Sequence, residues 1–201
     1  MKSLKKSLVS GKIPRVIGFD DAPFVKSDKQ PVNISGVVCS GTRFEGMLWG
    51  SVTADGVDST RSVVDLVSQS KFHSQLHAVL FDGLAFGGFN LLDLPAVSRK
   101  LELPVIAVMR KAPDLESIKN ALQNFPDFSS RWSLVRAAGP IHQILLPERK
   151  KPFIFQVHGA TPEEAAELLE RLTDTGDVPE ALRLAHLIGA AVKTGQSNNR
   201  A

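Results

Sequence analysis

A single cysteine, Cys39, leaves the chain unable to close an intramolecular disulfide, and no cluster of cysteines and histidines has zinc-ligand spacing. A disulfide-stapled scaffold and a structural zinc knot are thereby excluded, and a reducing, cytoplasmic setting is expected. Long hydrophobic runs are missing as well. The N-terminal MKSLKKSLVSGK has only isolated Leu4, Leu8 and Val9 among its lysines and serines, which is not the apolar centre of a signal peptide. No later segment approaches the ~20 apolar residues of a membrane-spanning helix, so no membrane partner is expected. Neither charge dominates: 24 Lys and Arg face 21 Asp and Glu, a net +3 that permits a nucleic-acid partner without requiring one. Internal repeats and low-complexity tracts are also absent.

What remains is an ordinary globular composition, 43% hydrophobic and 22% charged over 201 residues. That length suits one domain with a large core better than two average ones, so residues 1–201 are expected to form a single domain. Residues 1–12 and 195–201 are expected to be flexible tails.

The run RVIGFD is short, β-prone and followed by Pro23, which predicts a strand ending near Asp20. VNISGVVCSG and RFEGMLWGSVTA predict a hairpin turning at Gly41-Thr42. Val63, Val64, Leu66 and Val67 recur at helical spacing and predict a helix from about Asp58 to Ser70. HAVLFDG and LPVIAVMR read as buried strands, with the mostly helical NLLDLPAVSRKL between them, a parallel crossover. Helices are expected over DLESIKNAL and FSSRWSLVRAA, late strands over IHQILL and FIFQVHG, a capped helix from Thr161-Pro162-Glu163-Glu164, and a last helix after Pro179. The fold class is therefore α/β: three antiparallel strands, then parallel βαβ crossovers, flanked by helices. This is the order of ribonuclease H-like folds, in which the first and fourth strands lie side by side.

Those two strands, RVIGFD and AVLFD, stay apolar until an aspartate at the carboxyl end, where open α/β sheets commonly place ligands. Asp20 and Asp82 should be neighbours there. Two such carboxylates repel each other unless a cation intervenes, and Mg²⁺ accepts carboxylates together with phosphate oxygens and water. Each aspartate taken singly is also an ordinary turn or helix-cap residue; the pair, with Asp21 adjacent, favours a metal. Two-metal chemistry needs a third acid, and the loop ADGVDST offers Asp55 or Asp58, the latter equally suited to be a helix N-cap.

The ordered set GFDDAPF, DGVDST, FDGLAFGGFNLLDL, PVIAVMRKAPD and VPEALRLAHLIG resembles a mostly archaeal, uncharacterised protein family related to endonuclease V. The resemblance covers nearly the whole chain. It implies that Asp20 and Asp82 bind Mg²⁺ or Mn²⁺, and that Asp58 or Asp55 stands for the third acid. Arg110 or Lys111 would take the place of a lysine near the scissile phosphate. Glu180, Arg183 and His186 match a C-terminal motif Pro-Glu-x-x-Arg-x-Ala-His. Two motifs of endonuclease V have no counterpart: the aromatic, proline-containing loop leading into Phe-Arg-Glu, replaced here by SVTADGVDST, and a His-Pro-Arg element, replaced by GLAFGGFN. The resemblance thus implies metal binding without implying recognition of inosine or damaged bases.

Other residues have plainer readings. Gly83, Gly87 and Gly88 lack the Lys-Ser/Thr of a phosphate loop and read as a tight turn into a helix near Asn90, whose amides could still approach a phosphate. Glu180 and Arg183, spaced i and i+3, read equally as a helix-face ion pair. His186 has a core-edge reading beside the functional one, and His73, His77, His142 and His158 share no ligand spacing. Cys39 reads as a buried structural thiol. The expected function is divalent-metal-dependent cleavage of a nucleic-acid phosphodiester, on DNA or RNA. The competing expectation is a binding or assembly protein that retains the fold without catalysis; phosphate-ester chemistry on a small molecule is a third.

Overall fold

Runs rich in Val, Ile and Phe, each closed by a turn residue, form the strands. The computed structural model describes residues 4–25, 31–147 and 149–197. Helix α1 (Leu4–Val9) precedes an antiparallel meander of β1 (Arg15–Asp21), β2 (Val32–Ser40) and β3 (Arg43–Val52). Its second turn uses Gly41 at φ +60°, a left-handed conformation that costs glycine little. Helix α2 (Ser59–Ser68) leads to β4 (Ala78–Asp82), the small hairpin β5 (Ala85–Phe86) and β6 (Asn90–Leu91), helix α3 (Leu94–Leu101) and β7 (Val105–Met109). Helices α4 (Leu115–Leu122) and α5 (Phe128–Ala137), strands β8 (His142–Ile144) and β9 (Phe153–His158), and helices α6 (Pro162–Arg171) and α7 (Glu180–Thr194) complete the chain.

The strands form one seven-stranded sheet in the order β3-β2-β1-β4-β7-β9-β8. β1, β4 and β7 run parallel, and β9 returns antiparallel beside β7. Helices cover both faces because β-strand side chains alternate. Val16 and Gly18 of β1 and Ala78 and Leu80 of β4 face α6 and α7; Ile17, Phe19, Val79 and Phe81 face α2 and α3. Helices α4 and α5 pack with the β5–β6 hairpin in a satellite cluster around Leu91, Leu122 and Val135.

Two expectations are corrected. Residues 4–9, expected in a flexible tail, form α1, because Leu4 and Leu8, spaced i and i+4, share one helix face and bury it in the α6–α7 core. Residues 1–3 and 198–201 of the expected tails lie outside the described residues. Asn90 does not start a helix; it pairs with Phe86 in the small hairpin, and α3 begins after Asp93, which caps Ala96 N–H at 2.8 Å with Pro95 in the first turn. The expected capping box at Thr161 and Glu164 is present.

Candidate metal centre

The parallel register of β1 and β4 matches Phe19 with Phe81, so Asp20 and Asp82 occupy the next position on each strand. Alternation turns both carboxyl groups to the α7 face. Helix α7 lies directly on β1 there: a Cβ on Gly18 would sit 2.8 Å from the backbone of Ala181, and one on Gly189 would sit 3.2 Å from Ala22 Cα. Ser35 of β2 donates its hydroxyl to Ala185 C=O at 2.7 Å. These contacts fix the helix lengthwise and bring His186 over the strand end, where its Nδ1 lies 2.9 Å from Asp20 Oδ2.

Asp20, Asp82 and His186 each offer a ligand atom, and these atoms lie within 4.8 Å of one another, the one such group among the described residues. Asp20 is only 5% exposed and also accepts the Asp21 N–H on Oδ1 at 2.8 Å. Arg110, just past β7, places Nη2 3.2 Å from Asp82 Oδ2. Burial pushes the Asp82 carboxyl above the ordinary aspartate range, and the Asp20 charge adds to this while Arg110 and His186 oppose it. The hydrogen bond to Asp20 raises His186 against the effect of its own burial. Two carboxylates and an imidazole, held from three separate elements in a partly buried pocket, suit a divalent cation, whose charge would relieve the repulsion between the acids.

Asp55 and Asp58 do not join this group. Their loop packs on the opposite face of the sheet, with Ala54 against the α2–α3 core. Asp58 occupies the N-cap position of α2 without a side-chain cap; it accepts Thr53 Oγ1 at 2.8 Å, Thr53 N–H at 3.1 Å and Asn90 Nδ2. Asn90 makes the missing contact to the helix start, accepting Ser59 N–H at 3.0 Å. Asp55, at φ +51°, accepts Phe89 N–H at 2.8 Å, and Asp21 accepts Gly87 N–H at the same distance. The Gly87 and Phe89 amides therefore already serve carboxylates of the chain, and the Gly83 amide donates to Val108 C=O at 2.8 Å. Burial and the Asp20 charge, against the Gly87 N–H, bring the Asp21 carboxyl to about 6.

Lys111 is exposed one residue beyond Arg110. Glu180 and Arg183 form the i,i+3 ion pair, with Arg183 Nε 2.8 Å from Glu180 Oε2. Cys39 is buried, and burial pushes its thiol up to about 12, which removes it as a nucleophile. His73 and His158 hold backbone carbonyls, His77 accepts Arg15 N–H, and His142 packs on Phe155. One buried residue was not anticipated. Arg131 of α5 donates to Asp55 C=O at 2.8 Å, Gly56 C=O at 3.2 Å and Phe89 C=O, and to Asp127 Oδ1 at 2.7 Å. A basic residue on a helix reads as solvated, so its sequence carried no signal of this role.

Residues 12–193 match the endonuclease dU family. The chain belongs to that family. Among relatives of this endonuclease dU family member, a UPF0215 protein of Methanothermobacter thermautotrophicus is 39% identical over 189 residues, 93% of this chain and 91% of its own. A solved structure from Archaeoglobus fulgidus, described as a protein of unknown function, superposes with a TM-score of 0.81 at 34% identity, covering 89% of this chain and 98% of its own. Endonuclease V of Ciona intestinalis, solved with DNA containing an inosine followed by a ribo-adenosine, superposes at 0.58 with 16% identity, over 92% of this chain and 87% of its own. At that identity the likeness shows the fold, which is ribonuclease H-like in this endonuclease dU family chain as in endonuclease V. Among its described residues no helix is long and apolar enough to cross a membrane.

Proposed function

We propose that the chain is a divalent-metal-dependent nuclease that hydrolyses a phosphodiester bond of DNA or RNA. The observation that carries this reading is the convergence of Asp20, Asp82 and His186 at the carboxyl end of the parallel strands. The family's description as endonuclease dU and the Ciona enzyme's DNA complex support nucleic acid as the substrate class. In this reading Asp20, Asp82 and His186 hold Mg²⁺ or Mn²⁺. A bound divalent ion supplies Lewis-acid stabilisation of phosphoryl charge and lowers the pKa of a coordinated water. Asp20, fixed by its own strand and by His186, orients the imidazole. Arg110, 47% exposed at its side chain, can reach a phosphate oxygen while remaining beside Asp82 and so offset negative charge on the substrate. Lys111 adds positive charge at the rim.

Asp82→Ala should abolish Mn²⁺-dependent cleavage of an oligonucleotide panel while leaving the circular dichroism spectrum unchanged; full activity in that variant would remove the reading. A non-catalytic nucleic-acid-binding protein is the second reading, favoured by the engagement of Asp55 and Asp58 in their own loop, which leaves the acid pair without a third carboxylate. It predicts salt-sensitive oligonucleotide binding with no metal-dependent turnover in the wild-type protein.

A further inference from the structure

A groove of about 390 Å³ adjoins the candidate metal centre. Its floor includes Val108, Phe153 and Val178, which belong to the core on the α7 face, so it opens on the side of the sheet that carries Asp20 and Asp82. Val108 is the register partner of Asp82, and Phe155 that of Val108. The groove therefore lies one to two strand spacings, about 5–10 Å, from Asp82. Arg110 lines its near end and is also the Asp82 partner. Lys151 lines its far end, 70% exposed at the side chain and positioned by Asp177 at 2.6 Å. Asp177 also lines the groove; behind the floor the Arg149 guanidinium stacks 3.9 Å from the Phe153 ring centre and is shared between Glu170 at 3.2 Å and Asp177 at 3.6 Å.

An apolar floor between two cations matches a nucleoside flanked by phosphates: the base covers the floor, and the phosphates meet the charged ends. The volume falls at the small end of ligand pockets, enough for one nucleotide. We infer that this groove receives the nucleotide adjoining the phosphodiester held at Asp20, Asp82 and His186, with Lys151 meeting its phosphate. The inference rests on the nucleic-acid reading given above and adds the path of the strand.

The test is a titration of the ¹⁵N-labelled full chain, in EDTA, with the 5′-phosphorylated dinucleotide of 2′-deoxyuridine and, separately, that of uridine. Amide shifts should move at Met109, Lys151, Gly176 and Val178 with at least one of them, and the arm that binds identifies deoxyribose or ribose. Lys151→Glu should weaken binding about tenfold, the loss of one charge-assisted contact. Lys151→Arg should stay within about twofold, because it retains the charge that meets a phosphate. Asp82→Ala should keep the groove shifts. Shifts elsewhere only, shifts undiminished in Lys151→Glu, or equal shifts with hexaglutamate, which would mark an acidic-peptide site, overturn the inference. Wild-type cleavage in Mn²⁺ is scored separately. Groove shifts without cleavage support the groove and overturn the nuclease; cleavage without groove shifts does the reverse.

Discussion

Asp20 and Asp21 are neighbours in sequence, yet the pleat sends one carboxyl to His186 and the other to Gly87 across the sheet. The same alternation makes Gly18 face α7, and Gly18→Ala is expected to destabilise the protein by about 1–3 kcal/mol, because its new methyl meets helix backbone that cannot rotate away. A urea melt at neutral pH measures this. Asp58 gives a pH-dependent expectation. Burial alone would raise its carboxyl, but hydrogen bonds from Asn90 and Thr53 outweigh this and hold it below the ordinary aspartate range. A depressed folded-state pKa means that the carboxylate contributes its full stabilisation above the unfolded value of ~3.9 and loses it as the pH falls through the lower folded value. The stability gap between wild type and Asp58→Ala should accordingly be constant near pH 7 and narrow below about pH 4. A gap that widened in acid would contradict the assigned hydrogen bonds.

Arg131 ties α5 to both the loop before α2 and the turn before β6, so these three segments behave as one clamp. Arg131→Met leaves the carbonyls of Asp55, Gly56 and Phe89 without their buried donor, at about 1–3 kcal/mol for each group that water does not reach. Faster hydrogen exchange at the Asp55 amide, bonded to Gly87 C=O, would report the released loop; unchanged exchange there would mean that the clamp lies elsewhere. At this scale the sequence was informative where a pattern is local. RVIGFD and AVLFD announce their own ends, and Thr161 and Glu164 their capping box, whereas nothing in the sequence indicated that β9 would come between β7 and β8. It was uninformative where a face had to be chosen. Asp58 lies the right number of residues after β3 to be a third acid, but the connection to α2 passes over the α3 side, which no spacing within ADGVDST encodes. His186 and Arg110 were singled out as candidates only by matching motifs, since their own surroundings in sequence look like core edge and solvent.

For the whole molecule, a cation bound at Asp20, Asp82 and His186 stabilises the native state by mass action, about 2.7 kcal/mol at a hundredfold excess over Kd. In a chain of this size that corresponds to a rise in Tm of roughly 5–11 °C. Mn²⁺ should produce such a rise in the wild-type protein and none in Asp82→Ala, as differential scanning calorimetry would show. Equal shifts in both would place the ion elsewhere.

The contact between Asp20 and His186 spans 166 residues and joins the first strand to the last helix. A chain is made from its N-terminus and begins to fold as it emerges. Until α7 has been synthesised, β1 and β2 carry an uncovered groove at Gly18 and Ser35, and Asp20 has no imidazole. The nascent polypeptide can therefore set both aspartates side by side from β1 and β4, but Asp20 meets His186 only once α7 has been made and has packed on β1.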